Sequence, residues 1–289
     1  MGKSIGLKQL AEKVYEPISG LPDEIKASLG DLESAFDAII YGASGNGKTN
    51  FTVILLKALL QALPVMRAEY ISYEEGHGKT VQDCMIHRHD MLNAVGSRLV
   101  ITDHLSYGEL DKKIGRRQSA KIWVIDSLQA SGLTFEQCQK LKEKYVLSRK
   151  KKIIIYISWS DGKAPKGSVA KAVEYYANIK MFVDRLIVFP KSRYGGNLPF
   201  VVYEPGARAK WGVDFAKVTK PLYEMLKRNG KKIKDVPKEE INQAAGSRSD
   251  SVSAITPEGA AARENDQEVL LVPNMPGVSP DLKQEAQVL

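Results

Sequence analysis

No stretch of this 289-residue chain approaches the roughly 18 consecutive apolar positions of a membrane span. The longest unbroken apolar run, Ile153-Ile154-Ile155-Tyr156-Ile157, has the length of a buried strand. Cysteine is scarce: Cys84 and Cys138 lie far apart with no CxxC pairing, which argues against a disulfide framework and for two reduced, structural thiols. His77, His87 and His89 fit no standard zinc spacing, and Cys84, the only nearby thiol, does not complete one. A G-x-S-x-G turn is missing, so nothing points to a Ser-His-Asp hydrolase. Lys3 and Lys8 are followed by no apolar signal-peptide core, so the expectation is a cytoplasmic protein without membrane attachment.

What is present is an ordinary globular composition, 43% hydrophobic, enough for a full core. The net charge is +8, unevenly spread: residues 229–289 hold 7 Lys/Arg against 10 Asp/Glu, leaving +11 on the rest. A basic body with a mildly acidic tail suggests a polyanionic partner.

Residues 1–30 alternate apolar and charged positions at helical spacing (Leu7, Leu10, Ala11, Val14) and break at Pro17 and Pro22, a helical lead-in to the main domain. A strand-helix rhythm then sets in. Strands are expected at Asp37–Tyr41, Glu69–Tyr73, Arg98–Thr102, Ile122–Ser127, Ile153–Ser158, Lys180–Phe189 and Phe200–Tyr203. Helices are expected at Lys48–Leu63, Val81–Leu92, Tyr107–Ile114, Thr134–Arg149 and Ser168–Ala177. Strands alternating with helices imply an α/β domain over 31–228, a mostly parallel β-sheet flanked by helices on both faces. The Gly195-Gly196 loop before the last strand predicts a C-terminal antiparallel hairpin. Residues 229–289 lack sustained periodicity and read as a largely disordered tail. Its apolar patch Val269–Val272 is a possible docking peptide for a protein partner.

Gly42-Ala43-Ser44-Gly45-Asn46-Gly47-Lys48-Thr49 matches G-x-x-x-x-G-K-[ST] in full, between an expected strand and an expected helix. The glycines let backbone N–H groups wrap a β-phosphate, and the helix start adds its positive end. Lys48 is placed for the β- and γ-phosphates and Thr49 for Mg²⁺. Asp126 ends the strand Ile122-Trp123-Val124-Ile125, where a carboxylate reaches the same Mg²⁺ directly or through water. Glu74 and Glu75 end the second strand and are the candidates for orienting or deprotonating the attacking water, Glu75 slightly preferred.

The phosphate loop, the Tyr70-Ile71-Ser72-Tyr73-Glu74-Glu75-Gly76 strand end and Val124-Ile125-Asp126-Ser127 together resemble the RecA-like ATPases (RecA, RadA, DnaB-type helicases and KaiC). Lys191-Ser192-Arg193-Tyr194-Gly195-Gly196 is similar to the K-x-R-x-G segment of RadA and DnaB-type proteins. The resemblance covers roughly residues 30–213 and implies a RecA-like P-loop NTPase core, ATP and Mg²⁺ as cofactors, and Mg²⁺-dependent hydrolysis. It also implies that Lys191 and Arg193 reach a neighbour's γ-phosphate, and hence a homo-oligomer, ring or filament. Departures are plain. There is no replicative-helicase N-terminal domain, no cysteine-rich module of the RadA kind and no second repeat like that of KaiC. What remains is similar to the minimal single-domain RecA-like ATPases of phages and mobile elements, some of which work with single-strand annealing proteins.

In that family the loops after the fourth and fifth core strands hold DNA. Their counterparts are Gln129–Leu133, short and uncharged, and Ser160–Ser168, where Lys163 and Lys166 sit among glycines as candidate phosphate contacts. Trp159 reads as packed core or as a base-stacking ring, and Ser158 occupies roughly the place of the family's γ-phosphate sensor. The resemblance implies a recombination, repair or replication ATPase acting on single-stranded DNA. Its alternatives are a DnaB-type helicase motor and a KaiC-like nucleotide-switched regulator of protein partners.

Overall fold

The computed structural model describes residues 4–15 and 17–230. The expected tail lies outside these from residue 231 onward. Nine strands form the sheet: β1 (Asp37–Gly42), β2 (Ala68–Ser72), β3 (Leu99–Thr102), β4 (Ile122–Asp126), β5 (Ile153–Asp161), β6 (Ala164–Pro165), β7 (Ile179–Asp184), β8 (Ile187–Ser192) and β9 (Phe200–Val201). Their order is β3-β2-β4-β5-β1-β7-β8-β9, with β6 paired only to β5. From β3 to β7 every pairing is parallel, and β8 and β9 are antiparallel. The expected α/β sheet with an antiparallel end is what forms.

Period-2 alternation explains why the central strands read as continuous apolar runs: each face has its own core. Ala38, Ile40, Val124, Ile155 and Met181 point into one core, closed by the helices Asp23–Leu29, Lys48–Ala62 and Met91–Val95. Ile39, Tyr41, Trp123, Ile154 and Tyr156 point into the other, closed by Tyr107–Gly115, Phe135–Leu141 and Ser168–Tyr176. Trp123 is fully buried and donates its indole N–H to the Ala120 carbonyl at 2.9 Å, so its large apolar area is sealed without an orphaned donor.

Several expected boundaries move. Lys180–Phe189 is two strands, because Arg185 and Leu186 take positive φ (44° and 66°) and turn the chain back on itself. Val81–Leu92 and Thr134–Arg149 are each broken into an α segment followed by a π-helical one, Asp83–Arg88 and Lys142–Val146. Two helices follow the last strand, Glu204–Trp211 and Asp214–Arg228, and the second buries Phe215, Thr219, Leu222 and Leu226. The N-terminal residues Ile18, Leu21, Ile25, Leu29 and Leu32 are core residues. No helix among the described residues is long and apolar enough to cross a membrane.

Candidate nucleotide site

β1 ends directly in the loop Gly42–Thr49. Gly47 has φ 97°, a left-handed turn that launches the helix Lys48–Ala62. Gly42 has no room for a side chain, since a Cβ there would lie 2.2 Å from the Val183 carbonyl oxygen of β7. Asn46 fixes the loop to the β7–β8 turn: its amide donates to the Asp184 carboxylate at 3.3 Å, and its carbonyl accepts from the Leu186 N–H at 3.2 Å. Lys210 reaches over from Glu204–Trp211 to the Gly45 carbonyl at 3.3 Å.

Lys48 Nζ donates to the Gly42 and Ala43 carbonyls at 2.9 and 3.0 Å, which holds the ammonium inside the loop. Burial pushes its pKa below the usual lysine value, while Asp126 and Glu74 oppose that shift. Asp126 stands two strands away, since β5 separates β4 from β1. Burial raises its carboxyl to about 6, against the hydrogen bond it accepts from the Tyr70 hydroxyl. A hydroxyl (Thr49) and a carboxylate (Asp126) on one cleft form an all-oxygen donor set, which suits a hard cation such as Mg²⁺.

The cleft has a volume of about 770 Å³ and runs from the phosphate loop past Glu74, Glu75 and Asp126 to Trp159, Ser160 and Lys166. Both glutamates therefore border it, in different environments. Glu74 accepts from the Trp159 indole N–H at 2.6 Å and is the glutamate whose charge Lys48 feels. Glu75 is tied to the Thr80 hydroxyl.

Trp159 is not packed core: it is 41% exposed on the cleft wall, with Lys166 Nζ 5.7 Å from its ring. The extended end of β5 folds back as a short hairpin with β6, which places Lys163 at its tip. Gln129 locks this hairpin to the loop after β4. It donates to the Ser158 hydroxyl (2.8 Å) and the Lys166 carbonyl (2.7 Å) and accepts from the Trp159 N–H (3.2 Å). Ser158 itself is fully buried in that network and does not line the cleft.

Lys191 and Arg193 lie elsewhere. β8 runs antiparallel, so Ile187 sits level with Asp184 near the phosphate loop and Ser192 level with Ile179 at the far end of the sheet. Both cations are exposed there, out of reach of their own chain's cleft. The neighbouring Gly196 packs against the N-terminal helix Asp23–Leu29: a Cβ would come within 3 Å of Gly30 N and the Ala27 carbonyl.

Sequence reasoning missed Asn50, which lines the cleft and accepts from Arg88 and His89, each at 3.0 Å. It named Gln129 only as the start of a short uncharged loop and missed its part in holding the hairpin. Neither carries a local signal, because their partners come from distant segments. His77 meets the Ile101 carbonyl at 3.2 Å, so it and His89 have protein partners.

A mostly parallel sheet with its phosphate loop at the end of β1, an acid at the end of β4 and a closing antiparallel hairpin defines a P-loop α/β core. No family model and no curated protein matches the chain. Among solved structures it is similar to a KaiC-like protein from the hyperthermophilic archaeon Pyrococcus horikoshii, at 19% identity and a TM-score of 0.47. The match covers 65% of this chain and 99% of that one.

Proposed function

We propose that this chain binds and hydrolyses ATP in a Mg²⁺-dependent reaction and acts on single-stranded DNA in recombination, repair or replication. The observation that carries this reading is the shared wall of the cleft. Trp159 and Lys166, from the hairpin that presents Lys163, border the same space as Lys48 and Thr49, and the Trp159 indole holds Glu74. A strand of DNA on that hairpin would thus bear on a group beside the γ-phosphate.

Lys48 and the loop N–H groups would hold the phosphates, and Thr49 and Asp126 the Mg²⁺. Bound Mg²⁺ would neutralise charge on the phosphate oxygens. Glu74 takes the proton of the attacking water, which ends on phosphorus as the bond to the β-phosphate oxygen breaks. Lys191 and Arg193 serve the cleft of a neighbouring copy, where a cation stabilises the charge that develops. The site is then complete only in a homo-oligomer. ATP as the nucleotide follows from the family resemblance.

Binding of a labelled single-stranded oligonucleotide tests the DNA half of this reading. Bound ATP analogue should tighten it, and Lys163→Ala/Lys166→Ala should remove that gain. Equal affinity with and without nucleotide, unchanged in the variant, would count against it.

A further inference from the structure

Three adjacent parallel strands are each preceded by a cation at the same register. Ala68 of β2 is level with Ile122 of β4, and Ile122 with Ile153 of β5. Arg67, Lys121 and Lys152, one residue earlier on each, therefore stand side by side at the strand spacing of about 4.8 Å. This row lies at the end of the sheet opposite the phosphate loop.

Its hydrogen bonds draw two loops together. Arg67 donates to the Gln118 carbonyl and Lys121 to the Lys151 carbonyl. Lys152 donates to the Ser119 and Ala120 carbonyls at 3.0 and 2.7 Å, and Lys150 to the Gly115 carbonyl at 3.2 Å. Every one of these acceptors is neutral. The carboxylate of Asp111, beside Tyr145, is already paired with Lys144 at 2.6 Å. Between Lys140 and Lys152 the chain carries seven Lys/Arg and a single carboxylate, Glu143. Arg116, Arg117, Arg149 and Lys151 are exposed around the row, and their side chains make no hydrogen bond or ion pair among the described residues. The repulsion is felt inside the row. Burial, then Lys152 and Lys151, brings Lys121 down to about 8, and burial, then Lys150 and Arg67, lowers Lys152.

We propose that this edge is a second nucleic-acid site, one that grips the phosphate backbone without reading bases and without needing bound nucleotide. It rests on the proposed function only in taking nucleic acid as the polyanion. Guanidinium forks beside a linear row of charge suit repeating phosphates. The ring within the cluster, Tyr145, is buried beneath Lys144 and Lys150, so no base can stack on it. Exposed apolar side chains on the flanking turns are single, Val65 and Leu147, too little area to anchor in lipid. The nine residues of β5, at about 3.3 Å each, put this edge roughly 30 Å from the Lys163/Lys166 hairpin. The two contacts are therefore separate tracks.

The test is binding of a labelled 30-nucleotide homopolymer to the full chain without nucleotide, over a salt titration. It compares the wild type, Lys163→Ala/Lys166→Ala, and the edge variant Arg116→Gln/Arg117→Gln/Arg149→Gln/Lys151→Gln. The hairpin variant should keep most of the binding. In the edge variant the salt exponent should fall by about 3, which is four contacts at roughly 0.7 each for a single strand. Affinity for a fluorescent ATP analogue and the melting temperature should stay unchanged. Restoring charge with Lys at the three arginine positions and at 151 should restore the exponent. Wild-type binding by the edge variant, failure of the lysine variant to recover, or preference for phosphatidylserine vesicles over DNA at equal phosphate would each overturn the proposal. ATP hydrolysis indifferent to DNA would sink the proposed function and leave this nucleotide-free binding untouched.

Discussion

Glu74→Gln is the substitution that separates chemistry from architecture in the cleft. The amide keeps an oxygen that accepts from the Trp159 indole N–H, now 2.6 Å from Glu74, so the side chain stays where it is. What disappears is the negative charge and the capacity to take a proton. General-base catalysis is worth about 10²- to 10⁴-fold, or roughly 3 to 5 kcal/mol in the barrier. Single-turnover hydrolysis of ATP in the presence of single-stranded DNA should slow by that factor, with ATP affinity changed no more than a few-fold. Glu75→Gln is the matched control, because the amide keeps an acceptor for the Thr80 hydroxyl and it is the charge of Glu74, not of Glu75, that acts on Lys48. It should stay within a few-fold of wild type. A hundredfold loss in Glu75→Gln with normal turnover in Glu74→Gln would refute the assignment.

Four further outcomes are expected. Mixing Lys48→Ala chains with Lys191→Ala/Arg193→Ala chains should restore part of the hydrolysis that each lacks alone, since one supplies cations and the other an intact loop; no recovery at any ratio would argue against sharing between copies. Gly42→Ala should weaken ATP binding at least tenfold and cost about 1–3 kcal/mol of stability in urea unfolding, because the new Cβ falls 2.2 Å from the Val183 carbonyl oxygen. Lys113→Met should cost roughly 2–3 kcal/mol by the same assay, since among the described residues it leaves the buried Glu69 carboxylate with the Thr102 hydroxyl at 2.6 Å as its one partner; Glu69→Gln/Lys113→Met should recover most of it. Lys121→Gln should stabilise the protein below pH 8, and the gain should shrink as pH rises toward 10.4, because a lysine at about 8 when folded and near 10.4 when unfolded carries its full penalty below pH 8 and sheds it only as the unfolded chain deprotonates as well.

The phosphate loop was legible because its chemistry is local: eight consecutive residues specify both the turn and the helix start. The central strands were legible because burial on both faces leaves uninterrupted apolar runs such as Ile153–Ile157. Residues set by tertiary contact were not legible. The sequence left Trp159 open between packed core and an exposed stacking ring; β5 continues to Asp161 and places the indole on Glu74. Between Glu74 and Glu75 the sequence leaned slightly to Glu75, whereas the proposed role of Glu74 rests on its contacts with Lys48 and Trp159, which no local pattern announces. The helices Glu204–Trp211 and Asp214–Arg228 escaped notice: the first is short, with Pro205 in its first turn, and Pro221 interrupts the second, although Phe215 and Leu222 are buried. The basic edge was visible only as excess charge, because strand register is what gathers Arg67, Lys121 and Lys152 into one row.

ATP hydrolysis by the full chain at low salt, titrated with single-stranded DNA and blanked with Lys48→Ala, tests the central claim most directly. The proposed function predicts Mg²⁺-dependent turnover that rises several-fold with DNA and vanishes in the blank. Turnover that stays flat across DNA concentrations, at the salt where phosphate contacts are strongest, would contradict it and point to a nucleotide switch acting on protein partners.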